Sequence, residues 1–192
     1  MSSQGIDFVM KNLSLRDRFR PVIGLVGGLL VISWLPASQA QQAGCGEIEG
    51  FSDFDFWVGE WEVFDSNTGA KAGDNVIRKM EGGCMLLESW AGNGGSTGTS
   101  LNYYNPVTRE WRQVWVSAGQ YSIDIVGGMR SGAMVLEGSI YNFGGAVWDF
   151  RGTWTPNPDG SVRQFFEQYN HDSEEWAPWF DGRYVRKSNA AD

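Results

Sequence analysis

The chain has 192 residues, with 15 Lys plus Arg against 23 Asp plus Glu and a formal net charge of -8. That is one domain's length with a short tail, and an apolar fraction of 42%, with 14% aromatic residues, excludes a disordered chain. A pI near 4.7 excludes a nucleic-acid or anionic-membrane partner, because phosphate binding needs a basic stripe.

The first forty residues read as a secretory signal. Lys11, Arg16, Arg18 and Arg20 form a basic front. The apolar run Val22–Leu35 follows, then Pro36-Ala37-Ser38-Gln39-Ala40 with small residues where a signal peptidase cuts. The run is shorter than the roughly 18–20 residues that span a bilayer. Cleavage is expected after Ala40, and Met10 offers an alternative start. An uncleaved anchor and a lipoprotein ending at Gln42-Ala43-Gly44-Cys45 are the competing readings. Removing residues 1–40 takes four basic and two acidic residues away and leaves both cysteines. The protein is therefore expected to be secreted or periplasmic, with no stable membrane span. In an oxidising compartment Cys45 and Cys84 are the one intramolecular pair available. The alternative is two separate thiols.

Residues 41–52 read as N-terminal coil and 189–192 as a disordered tail. The stretch 47–55 could hold a helical turn that closes one end of the fold. Between them, residues 53–188 show short aromatic and β-branched runs punctuated by Gly, Asn, Asp and Pro, with no sustained helical period. The runs fall at 57–64, 75–80, 83–90, 98–104, 110–117, 121–126, 133–140, 146–154, 162–169 and 176–186. Asn157-Pro158-Asp159-Gly160 is a hairpin turn. Gly127-Gly128 and Asp181-Gly182 read as strand breaks. Short strands at this spacing predict an all-β fold, an antiparallel sandwich or a closed barrel of about ten strands.

The first strand carries Gly59-Glu60-Trp61, and the last carries Arg186. Gly-x-Trp with an Arg on the final strand resembles the calycin signature of lipocalins and fatty-acid-binding proteins. A bulky indole plugs the tapering end of such a barrel, and a guanidinium packs over its face. The stretches Phe54–Val63, Gly83–Trp90, Ser100–Tyr104, Trp111–Val116, Thr153–Gln164 and Phe180–Arg186 also resemble a family of secreted bacterial proteins of the DUF1579 type. That resemblance covers nearly the whole mature chain. It implies a single up-and-down lipocalin-like barrel and no particular activity. Arg186 is expected over Trp61 or bonded to backbone carbonyls beside it, and Arg183 at the surface.

Strand parity groups Glu88 with Trp90, Asn102 with Ser100 and Tyr104, and Trp111 with Gln113 and Trp115. Arg151 sides with Asp149 and Thr153. If these sets face inward, they line an aromatic cavity with a few polar groups, in which Glu88 and Arg151 could pair. If they face outward, Met85, Leu87, Leu101, Tyr103, Val114 and Val116 fill the core. Gly94-Gly95-Ser96-Thr97-Gly98 fits the Gly-x-Ser-x-Gly pattern but lacks the strand–turn–helix context of a nucleophile elbow. His171, the sole histidine, sits in a polar turn, so neither a His-paired metal nor haem is expected. No cofactor is expected. Glu60 and Glu62 flank Trp61 and are expected to face solvent.

The sequence thus points to a barrel that binds a small hydrophobic or amphipathic ligand through Glu88, Trp90, Asn102, Tyr104, Trp111, Gln113, Trp115 and Arg151. Two alternatives stand beside it. One is a barrel hydrolase or isomerase of a small apolar substrate, with Glu88 as acid or base. The other is a solid envelope module for structure or protein interaction.

Overall fold

The computed structural model describes residues 44–188. The expected signal at 1–40 and the tail at 189–192 lie outside the described residues. Among the described residues no helix is long and apolar enough to cross a membrane.

Ten strands form a closed antiparallel barrel: β1 (Gly59–Asp65), β2 (Lys71–Met80), β3 (Met85–Gly92), β4 (Thr97–Asn105), β5 (Glu110–Ser117), β6 (Tyr121–Arg130), β7 (Ala133–Asn142), β8 (Val147–Pro156), β9 (Val162–Asn170) and β10 (Glu175–Arg186). Each strand pairs with its sequence neighbours, and β1 pairs with β10 to close the ring. Closure leaves no free sheet edge, so every strand is paired on both sides.

Two strand breaks expected from the sequence are not breaks. β6 runs on through Gly127-Gly128, and β10 runs through Asp181-Gly182. Both Gly127 and Gly182 lie where a Cβ would strike a neighbour. At Gly127 it would meet the Val135 carbonyl of the adjoining strand, and at Gly182 the Phe180 ring. These glycines let the wall approach closely rather than turn the chain. The first strand also starts later than expected, because Asp55–Trp57 forms a turn of 3-10 helix.

The two ends of the barrel differ. The turns after β2, β4, β6 and β8 ring one end, together with the segment from Gly44 to Val58. That segment is not plain coil. It holds 3-10 turns at Cys45–Glu47 and Asp55–Trp57. It drives Phe54 and Trp57 into the barrel, where both are fully buried. Phe54 stacks on Trp57 at 4.9 Å between ring centres and meets Trp111 and Trp154 edge-on. Such aromatic pairs add about 0.5–1.5 kcal/mol each beyond area burial.

The Cys45–Cys84 disulfide is formed, with Cα atoms 5.0 Å apart. It pins the first 3-10 turn to the entry of β3. Trp111 adds a tie by donating its indole N–H to the Gly50 carbonyl at 3.0 Å. Arg186 lies across Trp61, its guanidinium carbon 4.3 Å from the ring centre, and donates to the Val58 carbonyl at 3.2 Å. Arg183 is exposed and pairs with Asp159.

Candidate functional site: a half-open aromatic cavity

The turns after β1, β3, β5, β7 and β9 ring the opposite end. Among the described residues no plug enters here, and a cavity of about 260 Å³ runs inward. Its aromatic wall consists of Trp90, Trp115, Tyr121, Phe166, Trp179 and Phe180. Ala72, Ser96 and Ile123 complete the sides, and Glu88, Gln113, Gln164 and Tyr184 face it from below.

The large rings fit because small residues sit beside them. Gly73 leaves room for the Trp90 ring, and Gly98 for Trp115. A Cβ at either position would collide with the indole. The sequence therefore alternates bulk and absence of bulk across neighbouring strands. A β-bulge between Pro178 and Phe180 does the rest. It breaks the two-residue alternation of β10, so that the consecutive residues Trp179 and Phe180 both face the cavity. Trp179 meets Tyr121 and Phe150 edge-on, and Phe180 meets Trp90.

Below the aromatic wall lies a connected polar layer. Glu88 and Ser100 are directly opposed on β3 and β4, and Asn102 and Gln113 on β4 and β5. All four are buried. Gln113 Nε2 donates to Asn102 Oδ1 at 2.8 Å, and Asn102 Nδ2 donates to Ser100 Oγ at 2.7 Å. Ser100 Oγ then donates to Glu88 Oε2 at 2.6 Å. From the other side Asn75 Nδ2 donates to Glu88 Oε1 at 2.7 Å and reaches the Tyr184 hydroxyl at 3.1 Å. The Tyr184 hydroxyl donates to Gln164 Oε1. Amide and hydroxyl protons are thus aimed at one carboxyl group.

Glu88 is only 3% exposed. Burial raises its pKa from 4.5 to about 7, and the hydrogen bonds from Ser100 and Asn75 hold it from rising further. Burial also raises the Tyr184 phenol well above its ordinary value, with the Glu88 charge adding to it. Tyr121 shifts upward chiefly by burial. Among the residues lining this cavity, Glu88 is thus the one whose charge changes near neutral pH.

The residues singled out in the sequence divide into three groups. Glu88, Trp90, Gln113 and Trp115 line the cavity, and Asn102 supports them from beneath. Tyr104 and Trp111 point inward but sit at the plugged end. There Tyr104 meets Phe51 at 5.2 Å between ring centres, and the Gly44–Val58 segment covers Trp111. Arg151 is on the outside. On β8 the inward residues are Phe150, Gly152 and Trp154, so the alternate position Arg151 faces away from Glu88. It pairs with Glu167 at 2.9 Å and stacks on Trp176 at 4.2 Å. The expected Glu88–Arg151 pair is replaced by uncharged donors.

Asn75, Gln164, Phe166, Tyr184 and the Trp179-Phe180 pair were not singled out from the sequence. Asn75, Gln164 and Tyr184 lie on the inward parity of their strands, beside Ile77 on β2, Val162 and Phe166 on β9, and Gly182 on β10. Trp179 could not be found by parity, because the bulge is invisible to a two-residue period.

His171 is exposed in the turn before β10, 3.3 Å from Asp149. Ser96 lies at the cavity mouth, with its hydroxyl near the Trp90 indole N–H rather than beside a base. Phe143 and Val147 stand exposed in and after the turn that follows β7, at the same end as the mouth. No protein-family model matches the chain, and no curated protein matches it.

Proposed function

We propose that this is a secreted or periplasmic binding barrel of the DUF1579 type that holds a small amphipathic molecule in the aromatic cavity. One observation carries the reading: the barrel is plugged at one end and hollow at the other, with a polar floor beneath an aromatic wall. Such a site takes an apolar body against the rings and a polar head at the floor. The Cys45–Cys84 bond supports an oxidising compartment, because such bonds are rare in reducing ones. The hollow end also argues against a solid structural module.

A second reading uses the same cavity for catalysis. Glu88, with its pKa near 7, is suited to give and take a proton at neutral pH. The hydroxyl beside it, Ser100 Oγ, is held at 2.6 Å in the polar layer beneath the cavity and does not line the open space. The reaction would therefore be a proton transfer or an isomerisation rather than a covalent hydrolysis.

The experiment is a titration with the apolar dye Nile red. Binding should shift its emission to the blue and raise its intensity. The variant Ala72→Trp, which narrows the mouth without touching the polar floor, should weaken binding at least tenfold. A dye that stays in water with the wild-type protein removes the binding reading.

A further inference from the structure

We propose that the cavity selects an organic cation: a small aromatic or aliphatic body carrying a protonated amine, which docks on the Glu88 carboxylate beneath the aromatic wall. This rests on the binding reading above and names its ligand class.

The argument begins with what surrounds Glu88. Both hydrogen bonds to its carboxylate come from uncharged donors, Asn75 and Ser100. Among the described residues no Lys, Arg or His lines the cavity. The other groups that face it are Ile77 beside it on β2, Gln113 on β5, Gln164 on β9, and the phenols Tyr121 and Tyr184 on β6 and β10. None of these carries a positive charge. The one arginine expected inside is outside, engaged by Glu137 and Glu167.

A buried carboxylate without a counter-charge is costly. The fold nonetheless arranges polar side chains from five strands to hold this one in place and directed at an open space. An apolar isostere would fill the position more cheaply. The feature the site lacks is a cation, and the cavity is where one can enter.

The wall is suited to the same guest. Indole, phenol and phenyl faces attract a cation by their quadrupoles, most strongly when water is excluded. Six aromatic residues border the space above Glu88. The chain's formal net charge of -8 raises the local concentration of cations around it. An anionic head would meet Glu88 with repulsion and find no positive partner.

The test compares tryptamine with tryptophol, which share the ring and chain and differ in amine against hydroxyl. Binding is measured by calorimetry on the disulfide-bonded protein, with Nile red as a probe of the cavity itself. At pH 8 tryptamine should bind at least tenfold more tightly than tryptophol. Its affinity should fall about tenfold per pH unit below pH 7, as Glu88 takes up a proton. Tryptophol should not follow that profile. Glu88→Gln should abolish the preference for the amine. Should that variant fail to fold, the wild-type pH profiles of the two probes decide alone. Equal or tighter tryptophol binding at pH 8 overturns the proposal. So does a protein that takes up Nile red but neither tryptamine nor tryptophol, and in that case the cavity reading survives. If Nile red fails too, both fall together.

Discussion

Trp61 and Arg186 are register partners across the seam where the first strand meets the last. The guanidinium stacks on the indole, while the Trp61 N–H donates to the Trp57 carbonyl at 2.9 Å. Gly59 sits beneath the stack with φ of 147°, and a Cβ there would strike the Arg186 guanidinium. The three residues therefore form one device. The glycine makes room, the indole fills the taper, and the arginine ties the closing strand to the turn before the first.

Arg186→Leu should destabilise the barrel by about 1 kcal/mol, because the arginine is exposed and its cation–π contact is worth little more at such a site. Gly59→Ala should cost more than that, since it adds backbone strain to the collision. Urea unfolding at neutral pH measures both. An alanine at position 59 as stable as wild type would show that the stack can move aside without loss.

The disulfide closes a loop of 39 residues between the plug segment and β3. The chain-entropy account gives about 4 kcal/mol for a loop of that size. Cys45→Ser with Cys84→Ser should lower stability by up to that amount. It should also speed proteolysis within 44–58 ahead of the strands, because the bond anchors that segment at its start. Mass spectrometry of early fragments distinguishes local from global loss. Equal cutting throughout would mean that the plug and the barrel unfold together.

The strands were legible because short aromatic and β-branched runs alternate with Gly, Asn and Pro turns at a regular spacing. Closure was legible from Gly59, Trp61 and Arg186, which make sense only if the first and last strands meet. Cavity lining was legible only in part. Parity placed Glu88, Trp90, Gln113 and Trp115 on one face, but it carries no information about depth. Tyr104 and Trp111 share that face yet fall under the plug. Arg151 failed for a different reason. β8 carries its aromatic residues Trp148, Phe150 and Trp154 on one parity and Asp149, Arg151 and Thr153 on the other, so its own alternation sets Arg151 outside, and the expected pairing with Glu88 overrode that signal. The β10 bulge, which brings Trp179 inward, has no local sequence signal beyond Pro178.

Arg151→Ala should leave the cavity untouched. Its ion pairs with Glu137 and Glu167 and its stack on Trp176 are outer-surface contacts. The loss should be about 1 kcal/mol of stability, as for other partly exposed pairs. Nile red affinity should stay within twofold of wild type. A tenfold change would mean that the outer face of β8 controls the mouth.

Glu88 should leave a signature in the pH dependence of stability. Its pKa is about 7 in the folded state against an ordinary 4.5. Below the lower value both states hold the proton, and the group contributes no pH dependence. Between the two values the unfolded chain ionises first, so the folded state binds more protons and stability falls as pH rises. Above 7 both states are ionised and the full cost, about 3 kcal/mol, remains. Asp74, Asp159 and Asp181 act in the opposite sense, since their partners lower their pKa values and their contributions disappear in acid. These carboxylates titrate below the window and cancel when wild type is compared with Glu88→Gln. The glutamine keeps the shape and cannot ionise. At pH 8 the variant should therefore be the more stable by up to about 3 kcal/mol, and most of that difference should vanish by pH 5. Urea midpoints at pH 5, 6, 7 and 8 give the comparison. A difference that stays constant across those four values would show that Glu88 does not titrate in this range, and the charge assigned to the cavity floor at neutral pH would have to be reassigned.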